Sequence, residues 1–267
     1  MTTSVDNTLP DETVFELENG IEQEIVEAIG AADHLRVGEL VAHLHPADVA
    51  DLLEHMDKEG RDTLIEIFQG VLDPEVFSEL DENVRDDLVV KLGFDYVASA
   101  VTELETDDAV QVMKELEEHE QKKVLAAIPA TDRTLIEEGL SYPEDSAGRL
   151  MQREVVTVPD FWNVGETIDF LRQRADDEES GLDSGSVPDL FYDIFVVGPA
   201  CKPIGSISLS RLLKSRRRVL VIDIMNVEMK LVAVEEDQED VAYLFSQRNL
   251  VSAPVIDAGG CLVGVIT

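Results

Sequence analysis

Between residues 13 and 140 apolar side chains recur at helical spacing while polar ones fill the intervening positions. The apolar positions are Val14, Ile21, Ile25 and Ile29 in "VFELENGIEQEIVEAIG", Leu40, Leu44, Val49, Leu52 and Leu53 in "VGELVAHLHPADVADLLEHM", and Leu64, Ile65 and Phe68 in "GRDTLIEIFQGVL". Each stripe predicts an amphipathic helix. His45-Pro46, Asp73-Pro74, Gly93-Phe94-Asp95, Thr106-Asp107-Asp108 and Pro129-Ala130-Thr131-Asp132 interrupt the pattern with helix stops or N-caps. The helices are therefore short, roughly 8 to 15 residues. "LHPADVADLL" and "LDPEVFSEL" echo each other around a Leu-x-Pro turn. A helical hairpin cannot cover its apolar face alone, so such units are expected to stack into a superhelix with one acidic flank.

The period changes after residue 153. "EVVTVP" alternates as a strand, "NVGETIDFLRQRAD" is a capped amphipathic helix, and "YDIFVVG" with "PIGSISLSRLLKS" reads as strand, turn, strand, helix. The order then recurs: "VIDIMNVEMKLVAVEED" predicts a strand, "QEDVAYLFSQRNL" a helix and "SAPVIDAGGCLVGVIT" a hairpin turning at Ala258-Gly259-Gly260. The first copy carries a Gly/Ser/Asp-rich insertion, "ADDEESGLDSGSVPDL", expected to be a mobile loop. Between the two patterns lies "YPEDSAGRLMQ". Tyr142-Pro143 stops the preceding helix, Glu144, Asp145 and Ser146 suit a helical first turn, and Gly148 permits close backbone packing.

Charge sharpens this division. Residues 1–145 hold 38 acidic against 9 basic side chains, residues 146–267 hold 19 against 12, and the whole chain has a net charge of −36. Such a field repels nucleic acid and anionic lipid and attracts cations, although it would equally confer solubility or suit a saline habitat. No apolar stretch approaches the roughly 20 residues of a membrane helix, and the acidic N-terminus lacks the features of a signal peptide. Two scattered cysteines, Cys201 and Cys261, fit a reducing compartment, with the thiols expected to be free. His45 and His55 lie at a turn and in a helix, positions where histidine is more often structural than ligating. No nucleophile-base or acid-base constellation points to an enzyme.

The tandem strand-helix-strand-strand-helix repeat, with "DIM" opening the second copy and "APVID" and "LVGVIT" flanking its hairpin, resembles a pair of CBS domains. An acidic helical domain followed by "EDSAGRLM" and then this pair resembles the cytosolic region of the MgtE family of magnesium channels. The likeness spans essentially residues 40–267. The expected architecture is α+β and multidomain: a disordered N-terminus (1–12), an all-α superhelical domain (13–141), a hinge (142–153), a first CBS domain (154–216) and a second, truncated CBS domain (217–267). The resemblance further implies a homodimer formed through the CBS pair, a transmembrane pore domain following Thr267, and a place on the cytoplasmic side of the membrane.

In that family Mg²⁺ bridges acidic faces of the helical and CBS domains and favours the closed state. Residue by residue, the resemblance implies Asp95 in "FDYVASA" as a ligand from the helical domain, with Ser99 at the position of a second family acid. It implies Asp237 and Glu239 in "EDQEDVA" as partners on the CBS side, Glu75 as a weaker candidate, and Asn249 where relatives carry another acid. Acids at the start of a helix are also favoured by its dipole alone. Two carboxylates about 5 Å apart repel by roughly 3 kcal/mol at an effective dielectric near 20, and a hard divalent cation shared between them replaces that repulsion with attraction.

Some relatives bind ATP between their CBS domains. Arg211 stands here where those carry an acid, and Asp193 stands near the place of their stacking aromatic, although Tyr192 is one position away. The basic run Lys214–Arg218 reads as a solvated linker. Two further readings remain: a nucleotide-sensing CBS regulatory protein, and a helical-repeat scaffold similar to the flagellar motor switch family.

Overall fold

The computed structural model describes residues 19–68, 72–179, 187–188 and 190–267. The expected disorder of residues 1–12 and most of the Gly/Ser/Asp-rich loop lie outside the described residues. The chain divides into two compact units, Met1–Ala100 and Val101–Thr267.

Among the described residues, the first unit has helices as its only regular elements. It contains α1 (Asn19–Gly30), α2 (His34–Val41), α3 (Pro46–His55), α4 (Lys58–Ile67), α5 (Glu75–Glu79), α6 (Glu82–Leu92) and the start of α7 (Phe94–Glu103). Side chains at the helix starts act as caps: the predicted stop His45-Pro46 is one, and Asp33 and Asp57 are two not singled out from the sequence. Asp33 accepts from the Arg36 N–H, Asp57 accepts from the Gly60 N–H, and His45 accepts from the Ala47 N–H with Pro46 in the first turn. Ile25, Val37, Leu52, Leu64, Phe77, Leu88 and Val97 form the buried faces. Arg85 is buried among them, and its guanidinium donates to the carbonyls of Phe77 and Leu80. Those bonds satisfy a charge that would otherwise be costly to bury, and burial lowers its pKa.

The second unit opens with α8 (Thr106–Glu115), α9 (Glu118–Ala127) and α10 (Ala130–Ser141). A Cβ at Gly139 would lie 2.5 Å from Val110 Cγ2, so α10 approaches α8 closely at a point only glycine allows. After α11 (Ala147–Leu150) come two repeats. The first holds β1 (Thr157–Pro159), α12 (Val164–Glu179), β2 (Asp193–Val197), β3 (Pro203–Ser208) and α13 (Leu209–Lys214). The second, preceded by α14 (Val221–Ile224), holds β4 (Val232–Ala233), α15 (Gln238–Arg248), β5 (Ala253–Ile256) and β6 (Leu262–Ile266). Each repeat is a three-stranded sheet in sequence order, with its first two strands parallel and its last two antiparallel, and each hairpin carries an irregularity near its turn.

The repeats exchange elements. The segment before the first repeat docks on the second sheet: Ala147 N donates to Glu236 O at 2.7 Å, Gly148 N to Val234 O at 2.8 Å, and Gln152 pairs with Val265. Met151, 2% exposed, lies in the core with Val232, Val241, Ala253 and Val255. The segment before the second repeat does the converse. Val221 is buried in the first core, Met225 packs against it, and Asn226 pairs with Ser206. Each methionine crosses a glycine of the sheet it borrows: a Cβ at Gly264 would lie 2.6 Å from Met151 Sδ, and one at Gly205 would lie 2.6 Å from Met225 Sδ. "VIDI", read from its branched residues as the start of a strand, is instead the short helix α14 of this exchange, and the strand is confined to Val232–Ala233. The α+β architecture, with an all-α N-terminal part followed by paired repeats of which the second stops at β6, is the one expected from the sequence.

Candidate metal-binding acids and the clefts of the paired repeats

Asp95 lies in the first turn of α7 and Glu75 opens α5, both exposed. Tyr96 joins these elements, since its hydroxyl donates to Leu72 O at 2.8 Å and its ring lies 5.9 Å from that of Phe77. The two acids therefore stand on neighbouring elements of the first unit. Tyr96 is the residue that arranges this, and only its aromatic character in "FDYVASA" hinted at it.

Asp237 and Glu239 belong to the second unit. Asp237 is the N-cap of α15, its carboxylate accepting from the Glu239 N–H at 2.8 Å, and Glu239 is exposed in the first turn. The cap occupies Asp237 Oδ1, and the helix terminus places the positive end of a dipole beside both acids. Asp145, not singled out from the sequence, stands beside them. Its carbonyl accepts from Gln238 N at 2.8 Å and its carboxylate from Gln238 Nε2 at 3.1 Å. The segment expected to be a hinge thus brings a further acid to the start of α15.

Exposed carboxylates suit a hard cation that keeps most of its water and takes one or two protein oxygens. Among the described residues no three acids, histidines or cysteines converge on one point. Asn249 adopts a left-handed conformation (φ 50, ψ 48) as the C-cap of α15, a backbone role that asparagine serves well. The histidines are structural in their contacts: His45 caps α3, and a ring nitrogen of His55 lies 2.7 Å from Asp51 O.

The cleft where Asp193 and Tyr192 meet Gln152, Glu154 and Ser252 has a volume of about 10 Å³. That is the room of roughly one water molecule. Ser252 Oγ donates across it to Asp193 Oδ2 at 2.6 Å. In the basic run, Arg217 is occupied by Asp169 at 2.6 Å and by Gly165 O at 3.2 Å, which explains it as an anchor on α12. A larger groove of about 370 Å³ opens on the second repeat between Ala147, Leu150, Val241, Ala242, Phe245 and Ile266. Among the described residues no helix is long and apolar enough to cross a membrane.

Comparison with known proteins places this geometry. Residues 44–145 match the MgtE intracellular N domain, and residues 221–267 match the CBS domain. The magnesium transporter MgtE of Thermus thermophilus is 28% identical over 254 residues, covering 94% of this chain and 54% of that protein. The magnesium transporter MgtE of Bacillus subtilis is 23% identical over 85% of this chain and 48% of its own length. The chain spans about half the length of these relatives. The structure of the cytosolic domain of the Mg²⁺ channel MgtE in complex with ATP aligns with a TM-score of 0.81 at 26% identity, covering 92% of this chain and 96% of that one. The soluble part of a magnesium transporter, 24% identical with a TM-score of 0.77 over 93% of this chain and 94% of that one, shows the same fold. An MgtE intracellular N domain is thus joined here to paired CBS repeats, and along nearly its whole length the chain is similar to the cytosolic region of MgtE magnesium transporters.

Proposed function

We propose that the chain is the magnesium-responsive regulatory region of a magnesium transporter, standing on the cytosolic side of the membrane beside a pore domain. The observation that carries this reading is the likeness of 92% of the chain, helical part and CBS pair together, to the cytosolic domain of a Mg²⁺ channel at a TM-score of 0.81. Asp95 and Glu75 on the helical side, and Asp237 and Glu239 on the CBS side, are the acids through which Mg²⁺ would favour a closed, compact arrangement. The chain would act as a homodimer through its CBS pair and would not be an enzyme. The strongly negative first 145 residues support a cation as the ligand.

The test is small-angle scattering of the chain across a magnesium titration, with sodium chloride of matched ionic strength as control. Compaction specific to the divalent ion, and reduced in the double variant Asp95→Asn, Asp237→Asn, is the expected result. An unchanged envelope, or one that sodium changes equally, would overturn the reading. The same titration with ATP tests the nucleotide alternative, against which the water-sized cleft bridged by Ser252 and Asp193 already argues.

A further inference from the structure

The turn of each hairpin carries one cysteine, and the two turns face each other. In the first, Ala200 and Cys201 are both left-handed (φ 61 and 58), a conformation that residues other than glycine hold only under constraint from their surroundings. The turn is closed by Gly198 N donating to Lys202 O at 2.9 Å. In the second, Asp257 Oδ1 accepts from the backbone N–H groups of Gly259 and Cys261, each at 2.8 Å, which holds the backbone of the turn. The turns abut: a Cβ at Gly260 would lie 3.7 Å from Lys202 Cε. Cys261, half-buried, donates from Sγ to Leu262 O at 3.7 Å, and the exposed Cys201 lies near enough across the abutting turns to interact with it. The interaction with Cys201 first, then burial and the nearby Asp257 charge, push the Cys261 thiol up.

We propose that Cys201 and Cys261 are an oxidisable pair that closes to an intramolecular disulfide, stapling the two hairpin turns, when a low-molecular-weight disulfide such as oxidised glutathione supplies the oxidant. Cys201, the more accessible thiol, loses its proton and its sulfur attacks the oxidised glutathione. A mixed disulfide forms on Cys201, and one glutathione leaves as a thiolate that takes up a proton. Cys261 then loses its proton and attacks the Cys201 sulfur, and the second glutathione leaves in the same way. Two protein thiols are oxidised and one external disulfide is reduced. The second attack waits on a thiol held in its protonated form, with Asp257 on its own turn and Lys202 on the facing one as the neighbouring charges, so adduct formation should run ahead of closure.

The whole chain is incubated with oxidised glutathione and followed by intact mass, free-thiol titration and a non-reducing peptide map, with Cys201→Ser and Cys261→Ser as comparison variants. The expected end product has lost two hydrogens, has no titratable thiol, contains a peptide joined through Cys201 and Cys261, and unfolds at a higher temperature than the reduced chain. Each single variant should retain one glutathione and show no such rise. Stable glutathione adducts on both cysteines, a disulfide between two chains, or thiols that stay free would each overturn the proposal.

Discussion

Glu154 reaches back to Thr106, accepting from its backbone N–H at 3.3 Å and from its hydroxyl at 2.5 Å, so the first turn of α8 is held by a carboxylate 48 positions later in the chain. The contact ties the helices α8 to α10 to the segment entering the first CBS repeat. Glu154→Ala should cost about 1–2 kcal/mol through the lost cap. A lower urea midpoint with an unchanged slope would show it, and Glu154→Gln, which keeps an acceptor oxygen, should lose less.

The same neighbourhood holds a half-buried acid. Asp107 is pushed up to about 6, by burial first and then by the charge of Asp108, with Glu154 adding to the effect. Its Oδ1 has no hydrogen-bond partner. Because the folded value lies above the unfolded one, the stabilising contribution of the protonated carboxyl is full below about pH 4 and is lost as the pH rises through about 6. Asp107→Asn removes the charged form, so the variant should be the more stable by about 1–2 kcal/mol near neutral pH and should match the parent at the acid end. Thermal unfolding of both proteins across that range checks the sign.

Met151 and Gly264 fit together only because the glycine has no side chain. Gly264→Ala should cost about 1–3 kcal/mol by overpacking, and Met151→Ala about 2–5 kcal/mol by leaving a cavity. In the double variant the new methyl group occupies part of the vacated space. The combined loss should therefore fall short of the sum by a measurable coupling energy, about 0.5–3 kcal/mol. Strict additivity in denaturant unfolding would mean that the two sites relax independently.

Asn249 ends α15 in a left-handed conformation. Asn249→Ala should cost about 1 kcal/mol, whereas Asn249→Gly should be neutral or slightly stabilising. If the two variants unfolded alike, the side chain and not the backbone would explain the residue.

The sequence displayed what depends on neighbours along the chain. Helix stops such as His45-Pro46 and Asp73-Pro74, the alternation in the hairpins, and the repetition of "VVTV" by "LVAV" are all local signals, and all correspond to observed elements. The exchange was hidden because its contacts join distant segments. Gly148 announced a close approach, but not that the surface approached would be Val234 O on the second sheet. Asp107 and Asp108 read alike as first-turn acids, and only the packing around Asp107, which pushes its carboxyl up, separates it from its neighbour. Asp145 was visible as charge, whereas its place beside α15 depends on Gln238.

The crossed placement of Met151 and Met225 also sets a timetable for the nascent chain. A ribosome makes α11 and Met151 before either sheet, yet the glycine they cover lies on β6, the last strand of the second sheet. At roughly 5–20 residues per second, α11 and its methionine wait for several seconds without their native cover. The first sheet waits less, since Met225 follows β3 closely and can close it as soon as both have left the exit tunnel. The second sheet can therefore close only after β6 has followed, and the acidic stretch flanking α11 would help keep the waiting segment soluble until then.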